Sequence, residues 1–252
     1  MCNTIDVRGL KIANVTLSEA LEAAKGYLDA EGKYTIFTPN AEIVQRCIED
    51  KTKKLFELTN SADMLLPDGA GVVLASKILK EPLKQKVGGY DFSQHLLGYL
   101  NEIGGKLFLL GSKQETVELA AQKLKATYPN IEVFFNNGYF DHQNEENEAV
   151  IEKINAARPD LLFVCFGFPK QETWIAQNKE RIDAKLMLGL GGTIDVIAGA
   201  KKYAPKIFIK LGLEWLYYLL QSPSRLGRYM SLPKFVFGTL FAKKHKKKSK
   251  KS

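Results

Sequence analysis

Six short apolar runs punctuate the first 200 residues, at positions 34–37, 63–66, 106–110, 131–135, 161–166 and 185–190. Each ends at a break rich in Gly, Pro, Asn or Asp: Thr38-Pro39-Asn40, Pro67-Asp68-Gly69, Gly111-Ser112, Asn136-Asn137-Gly138, Gly167-Phe168-Pro169 and Gly191-Gly192-Thr193. Apolar runs without polar alternation read as strands covered on both faces. Between them lie stretches of helical periodicity, among them 41–58, 92–103, 114–127, 147–157 and 171–182. Strands alternating with helices predict an α/β fold: a Rossmann-like, mostly parallel sheet with helices on both faces.

The two ends of the chain break this rhythm. Residues 4–15 read as an extended ribbon with a turn at Gly9, expected as an extra edge element on the sheet. Thr16 followed by Glu19 forms a capping box that opens a helix toward Ala30. Beyond Ala204-Pro205 comes an apolar, aromatic-rich helical stretch at 207–220, stopped by Gln221-Ser222-Pro223-Ser224. A second apolar stretch, 235–242, runs into a lysine-rich tail. The chain therefore divides near residue 200 into an α/β body, 1–200, and a helical, basic appendage, 201–252, and the body is expected to fold without the appendage.

Charge sharpens this division. Up to position 200 the chain carries 22 basic and 27 acidic residues; beyond it stand 14 basic residues and a single acidic one, Glu214. The formal charge of +8 thus belongs to the last fifth of the chain. A basic end on an acidic body points to an anionic partner, whether membrane, nucleic acid or diphosphate. With 45% hydrophobic and 25% charged residues in 252, disorder, collagen and coiled coil are excluded. Cys2, Cys47 and Cys165 share no short spacing, which excludes a disulfide framework and any CxxC motif and fits a reducing compartment. The opening residues lack a secretory pattern, and no stretch has the ~18 uncharged apolar residues of a spanning helix. A cytoplasmic protein is expected.

In an open parallel sheet ligands bind beyond the carboxyl ends of the strands, so the six breaks are the candidate site. Asp68, at a strand end beside a glycine turn, has the position of a general base, or of a helix N-cap. Thr38 and Asn40 either hydrogen-bond a sugar or phosphate or, for Asn40, cap the following helix. Gly191-Gly192-Thr193 either cradles a phosphate or forms a plain turn. It misses the GxGxxG pattern because Ile194 occupies the third glycine position, and Leu211, Gly212 and Leu213 stand where the acidic residue of that fingerprint would be expected. The Walker pattern is absent as well, so NAD enzymes and P-loop NTPases are disfavoured. Lys170 and Gln171 are candidates for phosphate and ribose or base, although Lys170 and Glu172 also suit a first helical turn. No zinc-ligand spacing and no GxSxG elbow occur, so a transfer reaction without metal or other cofactor is expected.

Taken in order, these motifs resemble the WecG/TagA/CpsF family of bacterial glycosyltransferases. The likeness rests on Thr38-Pro39-Asn40-Ala41, Pro67-Asp68-Gly69, Gly89-Tyr90-Asp91, Leu109-Leu110-Gly111 and Phe166-Gly167-Phe168-Pro169-Lys170-Gln171-Glu172. It continues through Gly191-Gly192-Thr193, Gly212-Leu213-Glu214-Trp215, Pro223, Arg225, Arg228-Tyr229 and Leu232-Pro233. The resemblance implies transfer of N-acetylmannosamine or a related sugar from a UDP donor to N-acetylglucosamine on a polyprenyl diphosphate, in teichoic acid or surface polysaccharide synthesis. It implies inversion, with Asp68 as the base and Thr38 beside it. Asn40, Lys170, Gln171 and the Gly191, Gly192 and Thr193 loop would hold the nucleotide sugar, with Lys86, Asp91, Gly111 and Gly167 also at the substrate. Arg225 and Arg228 would meet the lipid diphosphate.

Lys86, Tyr203 and Tyr218 stand where the family often carries Arg, which reduces the arginine cluster and leaves the donor sugar open. The appendage is expected to lie on an anionic membrane surface, at the inner face of the cell membrane, since aromatic residues accompany its charge. Nucleic acid is not expected as a partner, and a homo-oligomer is left open. The competing reading is a non-catalytic nucleotide- or nucleic-acid-binding α/β protein with a basic tail.

Overall fold

The structure, a computed structural model, describes residues 3–221 and 231–249, with side chains placed as far as residue 242. The chain opens with β1 (Thr4–Val7) and β2 (Leu10–Ala13), then α1 (Leu17–Asp29), β3 (Tyr34–Phe37), α2 (Ala41–Glu49) and α3 (Lys54–Asn60). It continues through β4 (Met64–Leu65), α4 (Ala70–Leu79), α5 (Gly89–Ile103), β5 (Lys106–Gly111), α6 (Gln114–Thr127), β6 (Glu132–Asn136) and α7 (Glu145–Ala157). Then come β7 (Leu161–Cys165), α8 (Lys170–Asn178), β8 (Leu186–Gly189), α9 (Thr193–Ala198), α10 (Lys206–Leu211), α11 (Glu214–Gln221) and α12 (Ser231–Ser249).

Strands β3 to β8 form one parallel sheet in the order β4-β3-β8-β7-β5-β6. Successive side chains of a strand point to opposite faces, and both faces are covered. Ile36, Leu107, Leu109, Phe163 and Leu188 pack with α1, α5, α6 and α9 on one side. Phe37, Phe108, Leu110, Val164 and Met187 pack with α2, α4, α7 and α8 on the other. This is why the strand segments read as unbroken apolar runs.

Several sequence expectations are met and several are corrected. The capping box is present: Glu19 N–H donates to Thr16 Oγ1 at 3.2 Å, and Thr16 N–H to Glu19 Oε2 at 2.8 Å. The N-terminal ribbon does not extend the sheet; β1 and β2 form a separate antiparallel pair. Its buried residues Ile5, Val7, Leu10 and Ile12 join the apolar layer beside α2 and α4, so burial under the helices replaces pairing with the two-residue strand β4. The helix expected at 41–58 splits at Asp50. Its carboxylate accepts from the backbone N–H of Thr52 and Leu55, and Lys53 takes a left-handed conformation, which no continuous helix permits. The helix expected at 171–182 ends its α-helical part at Asn178 and finishes in a 3₁₀ turn, Lys179–Arg181.

The residues beyond 200 are not detached throughout. Helix α12 lies across α2 and α4. Its Phe235 and Thr239 are fully buried, and Phe235 belongs to the core on that face. Lys234 Nζ stands 3.8 Å from Glu49 Oε1, and Gly238 packs on the Arg8 guanidinium. By contrast Ile207, Leu211, Leu220, Phe237 and Phe241 are each more than 60% exposed. Among the described residues no helix is long and apolar enough to cross a membrane.

Candidate active site

The carboxyl ends of β3 and β4 carry the first group. Thr38 follows β3, and its Oγ1 donates to the Gly189 carbonyl at 3.3 Å, tying the end of β3 to that of β8. Asp68 follows β4. Its backbone N–H donates to Leu66 O at 2.9 Å, and Val87 N–H donates to Pro67 O at 3.0 Å. This second bond brings the start of α5 against Asp68. The approach is close at Gly89 and leaves ordinary contact distance at Gly88. A Cβ on Gly88 would lie 3.6 Å from Asp68 Oδ1 and 3.7 Å from Asp91 Oδ2; one on Gly89 would meet Thr38 Oγ1 at 3.1 Å. The first turn of α5 therefore lies against Asp68 and Thr38.

Asp68 is not the cap of α4. That position belongs to Gly69, and no side chain caps the helix. The half-buried Asp68 carboxyl is instead pushed up to about 7. Burial is the main cause, the Lys86 ammonium opposes it, and the charges of Glu214 and Asp91 add to it. A carboxyl poised near neutrality beside a cation suits a general base.

The chain beyond residue 200 completes this group. At the α10–α11 turn, Gly212 takes a left-handed φ of +68°, and a Cβ there would stand 2.8 Å from Ala70 Cβ. The turn consequently sits on the first residue of α4 and delivers Glu214 to an ion pair with Lys86. Tyr203 hydrogen-bonds the Asp91 carboxylate and packs on Tyr90 with ring centres 4.4 Å apart. Burial and Asp91 raise the Tyr203 phenol further above its ordinary value, so it stays a donor. The tyrosine in the usual arginine position thus still engages an acidic group of the site.

A second group gathers at the ends of β5, β7 and β8. Gly111 ends β5, Gly167 follows β7, and Gly191, Gly192 and Thr193 follow β8. Ser112 Oγ donates to Asp195 Oδ1, and Asp195 forms an ion pair with Lys201. Thr193 is buried, with its hydroxyl on Leu190 O at 2.9 Å. Gln171 faces inward: its Oε1 accepts from Gly167 N–H at 3.1 Å and Gly191 N–H at 2.9 Å. Lys170 is exposed at the start of α8. Asn40 caps α2 through Oδ1, which accepts from Ile43 N–H at 3.1 Å, leaving its amide N–H groups for other partners. Arg225 and Arg228 lie outside the described residues. Among the described residues no cluster of His, Cys, Asp or Glu has the form of a metal site.

The structure places Thr38, Asp68, Lys86 and Asp91 around the start of α5. Sequence reasoning missed Asp195 and Ser112, which follow the glycine breaks by one to three residues, and it did not foresee that Glu214 would reach Lys86. The isolation of Glu214 as the single acid in a basic segment was the one available signal.

An open parallel sheet that carries a carboxylate, a cation and glycine loops at its carboxyl edge is an α/β protein with a candidate ligand site at that edge. The sequence model of the glycosyl transferase WecG/TagA/CpsF family matches residues 5–250. The N-acetylglucosaminyldiphosphoundecaprenol N-acetyl-beta-D-mannosaminyltransferases of Staphylococcus aureus strains MW2 and NCTC 8325 are each 38% identical over 248 residues. That alignment spans 98% of this chain and 96% of theirs. The chain belongs to the WecG/TagA/CpsF glycosyltransferase family.

Proposed function

We propose that this glycosyltransferase moves N-acetylmannosamine from a UDP donor to N-acetylglucosamine carried on a polyprenyl diphosphate, with inversion, in teichoic acid or surface polysaccharide synthesis. The observation that carries the reading is Asp68, a carboxyl raised to about 7 between Thr38, Asp91 and Lys86. The full-length likeness to transferases named for that sugar and lipid supports it. Asp68 takes the proton of the acceptor hydroxyl as its oxygen attacks the anomeric carbon. The bond from that carbon to the diphosphate breaks, and UDP leaves with the electron pair. A UDP sugar is α-linked, so one displacement gives the β product. The N-terminus of α5 and Lys86 lie where negative charge is stabilised. The loops at Gly111, Gly167 and Gly191 flank the nucleotide, and Glu214 holds Lys86 until a diphosphate competes for it. The test is transfer from a panel of UDP sugars to a short-chain polyprenyl-diphosphate N-acetylglucosamine. No product from any donor would overturn the reading.

Among the described residues no cluster of His, Cys, Asp or Glu has the form of a metal site, and we expect transfer to proceed without a bound divalent ion. Full activity in EDTA is the expected result; activity lost in EDTA and restored by Mg²⁺ or Mn²⁺ would contradict it.

The enzyme works at the inner face of the cell membrane, where the exposed Ile207, Leu211, Leu220, Phe237 and Phe241 enter the lipid interface. The lysine tail adds attraction to anionic headgroups. Deleting residues 243–252 removes seven lysines. It should weaken sedimentation with anionic vesicles in low salt and leave the weak binding to neutral vesicles unchanged. Equal binding by both proteins would remove the electrostatic part of this reading. The apolar character of the exposed residues disfavours the non-catalytic nucleic-acid alternative, which needs charge alone.

A further inference from the structure

Two neighbouring polar side chains at the start of α8 are almost wholly enclosed: Gln171 is 3% exposed and Glu172 2%. Neither enclosure is explained by packing alone. Gln171 Oε1 accepts from two backbone N–H groups on different loops, Gly167 after β7 and Gly191 after β8. Gln171 Nε2 donates to Glu172 Oε1 at 2.9 Å. The amide lies so close to β8 that a Cβ on Gly189 would meet Nε2 at 2.9 Å. Glu172 Oε2 is buried without a hydrogen-bond partner, so this carboxyl is kept inside the protein with one of its two oxygens unpartnered.

We propose that Glu172 is a positioning residue for the transfer reaction: by accepting from Gln171 Nε2, it fixes the Gln171 amide in the orientation that latches the Gly167 and Gly191 loops together. A glutamine amide turned by 180° keeps nearly the same shape and exchanges its donor and acceptor ends. In the observed orientation one oxygen satisfies two N–H groups. In the turned orientation the NH₂ group would face those two donors, and the amide oxygen would face the Glu172 carboxyl. The two backbone donors and the Glu172 carboxyl act on opposite ends of the amide, and Glu172 is the side chain that secures its donor end.

The titration of Glu172 does not disable the latch. Burial pushes this carboxyl up to about 7, with the Gln171 hydrogen bond and the Arg46 charge opposing. Arg46 and Cys47 on α2 are the other titratable groups whose fields couple to it. Arg46 is itself held by the Phe168 carbonyl at 3.0 Å and lies over the Phe168 ring. Charged or neutral, the carboxyl offers Oε1 as an acceptor.

The role in transfer rests on the proposed function, in which these two loops flank the donor diphosphate. The latch itself can be tested without a ligand. The variants are Glu172→Leu, Glu172→Gln and Gln171→Met in the full chain. The measurements are NMR exchange of the Gly167 and Gly191 amide protons in the free protein, UDP calorimetry, and KM and kcat for the donor. Glu172→Leu should expose both amides to exchange and raise the donor KM about tenfold, the scale expected when buried hydrogen-bond partners are lost, with kcat nearly unchanged. Glu172→Gln keeps an oxygen for Nε2 and should restore protected amides and the parent KM. Gln171→Met should behave as Glu172→Leu does, and it carries the test if Glu172→Leu does not fold. Protected amides with an unchanged KM in Glu172→Leu, or in Gln171→Met, would overturn the latch; so would a Glu172→Gln variant as impaired as Glu172→Leu. Amide exchange as expected in a parent protein that does not bind UDP would remove the nucleotide reading of the loops and leave the latch standing.

Discussion

Replacing Asp68 by Asn should lower turnover by about 10²–10⁴-fold, the usual contribution of a positioned general base, with the fold intact. Asparagine keeps the size of the side chain and removes the proton acceptor. In the parent, kcat/KM should rise with pH through an apparent pKa near 7, because the ionised carboxylate is the active form of Asp68. The residual rate of Asp68→Asn should lack that rise. Stability supplies an independent check. The folded protein holds the Asp68 proton more tightly than the unfolded chain, whose ordinary value is 3.8. Stability from this group is therefore present below about pH 4 and is lost as pH rises through about 7. Asp68→Asn cannot titrate there, so its melting temperature relative to the parent should increase between pH 4 and pH 8. A variant with near-parental turnover would remove Asp68 from the chemistry whatever its melting behaviour.

Replacing Phe235 by Ala should cost about 3–5 kcal/mol, the range for a buried aromatic truncated to a methyl group. That is a large fraction of the roughly 5–15 kcal/mol that holds a domain together. Phe235 is fully buried on α12, in the same apolar layer as Val44 of α2 and Val72 of α4. Its loss leaves a cavity between three helices, and denaturant unfolding should show a lower midpoint. Phe237, two positions on and 63% exposed, is the internal control: Phe237→Ala should leave the midpoint nearly unchanged and weaken vesicle binding. Equal midpoints for Phe235→Ala and the parent would mean that α12 is not part of the folded core. The docking also qualifies the expectation that residues 1–200 fold alone. Cutting at 200 would uncover α2 and α4 and remove Glu214 from Lys86, so the loss of transfer in such a protein would have two causes. Point substitutions separate them.

The strand positions were legible because both faces of the sheet are covered, and that leaves the sequence no polar alternation. The common edge of Thr38, Asp68, Gly111, Gly167 and Gly191 was legible for a related reason: breaks after buried parallel strands lie at the carboxyl edge of the sheet. Local chemistry with a short span was also legible, as with the Thr16–Glu19 capping box. The break of 41–58 was not, because Asp50 acts as a turn-former only once its carboxylate finds the N–H groups of Thr52 and Leu55. In a helical reading it is one polar position among several.

The sequence by itself determined the α/β class, the carboxyl-edge placement of the candidate residues and the family to which the chain belongs. These depend on composition, on period and on the order of motifs, all of which are local or linear. The tertiary structure decided which of those motifs meet. The Val87 bond to Pro67 and the small Gly89 bring α5 onto Asp68 and Thr38, Gly212 seats a turn on Ala70 and delivers Glu214 to Lys86, and Gln171 turns inward to join two loops. It also decided that Phe235 is core and Phe237 surface, although the two look alike in an apolar run. Contacts between residues far apart in the chain depend on strand order and on close backbone approach, and no period or spacing along the chain encodes either.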